Sequence, residues 1–95
     1  MDDQERLFVD RLSSQALTDN DTISCIEVLE VLSSVEALPA LVRVMADAQR
    51  SYEVRERAAQ AIRLLGPDCV QTELAALSRS RSKEVRKLIE IALGS

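Results

Sequence analysis

Histidine is absent from the 95 residues. With it go the commonest proton acceptor near neutral pH and the Ser-His-Asp and Cys-His arrangements of nucleophilic catalysis. The only cysteines, Cys25 and Cys69, are far apart and show no ligand-type spacing, which argues against a zinc site. Both fall within apolar helical patterns and are expected to be buried free thiols. The two glycines are isolated, so no phosphate-cradling loop can form from them. Two glycines and two prolines are also too few for a turn-rich all-β domain. Asp19 and Asp21 flank Asn20, but the glycine and terminal glutamate of a calcium loop are missing, and a turn with a helix cap is the simpler reading. No apolar run approaches the ~20 residues that span a bilayer. Met1-Asp2-Asp3-Gln4-Glu5 is acidic where a secretion signal needs a basic segment. The expectation is a cytoplasmic protein with no metal, no cofactor and no catalytic residues of its own.

Carboxylates are plentiful. Glu27 and Glu30, like Glu53 and Glu56, stand three residues apart. Acid/base chemistry needs such groups in a desolvated cleft, and no cleft is legible here. Solvated helix faces with local pairs such as Glu53–Arg57 account for them. The formal charge of −4 is uneven. Residues 1–34 hold eight acids and two bases, whereas residues 35–66 and 67–95 each hold four acids and five bases.

With aromatics reduced to Phe8 and Tyr52, the apolar mass is Leu, Val, Ala and Ile, and Leu and Ala favour helix. Their arrangement repeats. Ser51-Tyr52-Glu53-Val54-Arg55 is echoed 31 residues later by Ser82-Lys83-Glu84-Val85-Arg86. Projected backward, the same offset reaches Asn20 and Ile23. Asn20, Ser51 and Ser82 are each suited to cap a helix start. Val54, Ala58, Ala61, Ile62 and Leu65 form one stripe of a 3.6-residue helix, as do Val85, Leu88, Ile89, Ala92 and Leu93. Ile23, Cys25, Ile26, Leu29 and Leu32 form a comparable stripe. Each of these second helices follows a first: residues 4–17, 36–48 and 68–79. Gly66 can end the middle pair, and Pro67 and Pro39 suit first turns. The prediction is an all-α chain of about six helices, a single domain over 1–95 with helix pairs near 4–34, 36–65 and 68–93.

The stretch Leu41 to Gly66 resembles a HEAT repeat, particularly the short variety of the phycobilisome-lyase-type HEAT proteins. The resemblance rests on Ser51 to Arg55, then Ala58, Ala59, Ala61, Ile62, Leu65 and Gly66. Residues 82–94 repeat Val85-Arg86 but carry Leu88-Ile89 where the family has small residues, and residues 20–35 lack the arginine. The resemblance implies a right-handed stack of antiparallel helix pairs, an α-solenoid. It also implies a structural role for Arg55 and Arg86, organising the turn and touching the neighbouring repeat. Such repeats specify an architecture rather than a reaction, so protein–protein interaction or scaffolding is the function expected, with another protein or peptide as partner.

Two kinds of surface are candidates, the face of the second helices and the end of the stack. The face of successive second helices offers Glu27, Glu30, Glu56, Gln60, Arg63, Lys87 and Glu90. At the C-terminal pair the apolar arc of residues 85–93 is wider than one partner helix needs, and Leu88, Ile91 and Leu93 are candidates for self-association. Asp2, Asp3, Glu5, Arg6, Asp10 and Arg11 suit the first helix as a polar end cap. The alternative function is nucleic-acid or phosphate binding through Arg79, Arg81, Lys83, Arg86 and Lys87, where backbone contacts would weaken with salt.

Overall fold

The computed structural model describes residues 3–14 and 17–94. Asp2, Gln15 and Ala16, which the first helix was expected to include or adjoin, lie outside them. Among the described residues six α-helices form: α1 (Asp3–Leu12), α2 (Asp19–Val31), α3 (Leu38–Ala46), α4 (Tyr52–Leu65), α5 (Gln71–Leu77) and α6 (Lys83–Leu93). Short 3-10 turns, Val35–Ala37 and Pro67–Val70, lead into α3 and α5. Helices α3 and α5 start later than their apolar patterns suggest, because these turns take up their first residues.

Helix starts follow local chemistry. The Ser51 hydroxyl accepts from the Val54 N–H, and the Ser82 hydroxyl accepts from the Val85 N–H. Both serines cap as expected. Asn20 does not: it is the second residue of α2, and Thr18 is the cap, accepting from the Asp21 N–H. The first offset is therefore 33 residues, Thr18 to Ser51, against 31 from Ser51 to Ser82. The difference arises mainly because α3 is two residues longer than α5. In the corrected register Thr22, Cys25, Ile26 and Leu29 of α2 align with Arg55, Ala58, Ala59 and Ile62 of α4, and all eight are buried.

Helix ends are as specific. Gly66 (φ 120°) closes α4 and Gly94 (φ 77°) closes α6. After α2 the left-handed position is Ser33 (φ 52°). Its N–H donates to Glu30 O, and that of Ser34 to Leu29 O, the paired bonds of a Schellman ending.

Helix α4 is the centre of the molecule. It packs on α2, α3 and α6, while α1 packs on α2 and α5 on α6. Contact with three neighbours explains why Val54, Arg55, Ala58, Ala59, Ala61 and Ile62 are all buried, more than one stripe. Three alanines there let the neighbours approach closely. Around them lie Leu12, Ile26, Leu29, Leu38, Leu41, Met45, Leu74 and Leu88, each almost wholly excluded from solvent. Burial of one such Leu or Ile side chain contributes about 2–3 kcal/mol. Of the two cysteines only Cys25 is buried; Cys69 lies exposed on the 3-10 turn after Pro67, outside the apolar stripe. No helix of the described residues is long and apolar enough to cross a membrane.

Candidate interaction surfaces

Three arginines hold the helices to one another. Arg55 is 3% exposed. Its Nε donates to Met45 O at 2.9 Å, capping the end of α3, and its Nη1 reaches Glu84 Oε2 at 3.2 Å in the first turn of α6. A cation at a helix C-terminus is favoured by the dipole and by the carbonyls left without a helical partner. Arg50 does the same for α1: its Nη2 donates to Leu12 O and Ser14 O, and its Nη1 to Thr22 Oγ1. Arg57 grips Glu30 of α2 through its two terminal guanidinium nitrogens, Nη1 and Nη2, the bidentate geometry that makes such pairs strong.

The expected structural role of Arg55 thus has a geometry, but that of Arg86 does not. The Arg86 side chain is exposed and makes no hydrogen bond or ion pair among the described residues. The end of α5 needs no arginine, because the N–H groups of Arg79 and Ser80 already donate to Ala76 O and Leu77 O. Val54 and Val85 are core residues.

The candidates on the second helices divide. Glu27, Gln60, Arg63, Lys87 and Glu90 are exposed. Glu56 is half-buried. Glu30 is engaged by Arg57 and serves the packing of α2 on α4. The C-terminal apolar candidates also divide. Leu88 is fully buried in the core and cannot face a partner, Ile91 is partly buried against the core, and only Leu93 is well exposed. The wide apolar arc of α6 is covered because α4 and α5 both pack on it. All five basic candidates, Arg79, Arg81, Lys83, Arg86 and Lys87, are exposed, and Lys83, Arg86 and Lys87 line one open groove with Glu90.

Other exposed apolar side chains were not legible as a set. Val31 is 84% and Leu64 is 72% exposed. In the corrected register they are equivalent residues of α2 and α4, and Leu93 lies at the corresponding end of α6. Phe8, Arg11, Leu17, Asp21, Ser24, Cys25 and Val28 line a groove between α1 and α2. Burial pushes the Cys25 thiol above its ordinary range, with Arg11 opposing and Asp21 adding to the shift. Among the described residues no three His, Cys, Asp or Glu side chains gather as metal ligands would. No protein-family model matches the chain, and no curated protein matches it.

Proposed function

We propose that this chain is a short HEAT-like stack of helix pairs that works in the cytoplasm as a protein-interaction or scaffold module, without chemistry of its own. The observation that carries the reading is the exposure of Val31 and Leu64, equivalent residues at the carboxyl ends of α2 and α4, with Leu93 also exposed at the end of α6. A soluble domain scatters single apolar residues over its surface, and we read their recurrence at equivalent positions of α2 and α4 as a binding edge. Arg63 and Glu27 border it with both charges, which suits an amphipathic protein segment with a mixed polar rim. The capping arginines and the recurring Ser51 and Ser82 support the stack, since each helix pair is tied to the next at the same end.

The test compares wild type with V31E/L64E. Both side chains are exposed, so helical content and melting should be preserved. Affinity capture of native protein partners, followed by mass spectrometry, should recover a defined set that the variant loses. Equal recovery by the variant would refute the reading.

The run Arg79, Arg81, Lys83, Arg86 and Lys87, exposed throughout, favours a second reading, nucleic-acid or phosphate binding. Salt-dependent gel shifts with DNA and RNA test it. Protein binding is preferred because neither aromatic is placed to stack on a base: Phe8 is on α1 beneath the Arg11 guanidinium, and Tyr52 opens α4.

A further inference from the structure

Inside the chain, the first turns of α4 and α6 are joined by an ion pair. Four residues after its capping serine, α4 carries Arg55; two residues after its own capping serine, α6 carries Glu84; the two side chains meet at 3.2 Å. Arg86 stands on α6 where Arg55 stands on α4, four residues after Ser82. It therefore projects from α6 as Arg55 projects toward α6, but into solvent. Lys83 and Lys87 lie beside it on the same groove.

The counterpart of Glu84 at the other end of the molecule is known from the corrected register. Two residues after Thr18 stands Asn20, flanked by Asp19 and Asp21, all three exposed. Residues 1–34 carry eight acids against two bases, and one of those bases, Arg11, lines the groove between α1 and α2. Next to Asp21 the groove between α1 and α2 adds the half-buried apolar side chains Phe8, Leu17 and Val28. One end thus presents a cation, Arg86, at the position where α4 carries Arg55, and the other presents two carboxylates, Asp19 and Asp21, on either side of the position where α6 carries Glu84.

We propose that the outer face of α6 docks on the start of α2 in a second copy of this chain, so that molecules associate head to tail, with Arg86 meeting Asp19 and Asp21 as Arg55 meets Glu84. The interface is heterologous: each copy keeps one free head and one free tail, so association continues into short chains or closes into a ring. It draws on charges at the rim of a surface and is therefore weakened by salt. It uses neither Val31 nor Leu64, so it stands apart from the apolar binding edge.

The experiment is sedimentation velocity of the full chain over a concentration series in low and high salt, with two neutralised variants. K83Q/R86Q removes the tail, and D19N/D21N removes the head. Wild type should sediment faster as concentration rises in low salt and return to monomer in high salt. Each variant alone should associate roughly tenfold more weakly. Mixed, the two should form a dimer of one copy of each, because the head of the first and the tail of the second are intact. Monomeric wild type in low salt overturns the proposal. So does a mixture without the mixed dimer, which would indicate a symmetric contact. An α6 stripe that binds an added oligonucleotide while the protein stays monomeric overturns it in favour of nucleic-acid binding.

Discussion

Replacing Arg55 by methionine keeps an unbranched apolar stem in the core and removes every polar contact of the guanidinium. Two interactions are lost, and they differ greatly in weight. The bond from Nε to Met45 O is buried. Without it that carbonyl is left unsatisfied at the end of α3, where the next N–H that could serve it, on Gln49, is already bonded to Asp47 Oδ1. Leaving a buried acceptor unpaired costs about 1–3 kcal/mol. The pair with Glu84 ends on a side chain that is 64% exposed, and exposed ion pairs contribute about 0–1 kcal/mol. R55M is therefore expected to lose about 2 kcal/mol, a large part of the 5–15 kcal/mol that holds a typical domain together. E84Q should lose less than about 0.5 kcal/mol. Urea unfolding followed by helical circular dichroism reads both as midpoint shifts at constant slope, and the double variant should be additive within about 0.5 kcal/mol. An R55M protein within about 0.5 kcal/mol of wild type would refute the capping account. An E84Q loss equal to that of R55M would transfer the energy to the ion pair.

Other expectations follow from single positions. S33G should raise stability by about 0.5–1 kcal/mol, since Ser33 holds a left-handed conformation that glycine adopts without strain; thermal melting checks it. L88A should cost about 2–5 kcal/mol and L93A under about 1 kcal/mol in the same urea assay, because the first is core and the second surface. Cys69 should react quickly with a thiol reagent and Cys25 only on unfolding, as peptide mapping after pulsed alkylation would show. The raised Cys25 pKa also sets a pH dependence. Above the ordinary thiol range the unfolded chain loses a proton that the folded protein retains, so stability falls as pH rises from there. C25A should flatten that alkaline slope in melts taken across pH.

The serine caps and the apolar stripes of α4 and α6 were readable because each depends on residues within one or two turns. Ser51 and Ser82 cap through bonds three residues long. The first unit was misread by two residues because a fixed offset ignores the length of the intervening helix, and α3 is longer than α5. Asn20 has the right chemistry for a cap but lies two residues too late. Arg50 is not legible, and Arg57 reads as a local partner of Glu53 rather than of Glu30, for a different reason. Their partners, Leu12 and Glu30, are 38 and 27 residues away, and no local pattern links such distant groups. The same limit affected Leu88: its position in a wide apolar arc was plain, but only the packing of two helices on α6 shows that it is core. Cys69 was expected to be buried because the run around it looked helical, whereas Pro67 starts a tighter turn that rotates it outward.

Arg55 and Arg57 are two residues apart on α4, which sets them on nearly opposite sides of the helix. One is fastened to α6 and the other to α2. A pull on either outer helix is therefore transmitted across the body of α4 within a single turn. The middle pair acts as an axle, and the set of the two ends relative to one another is governed by how firmly two guanidinium groups grip it.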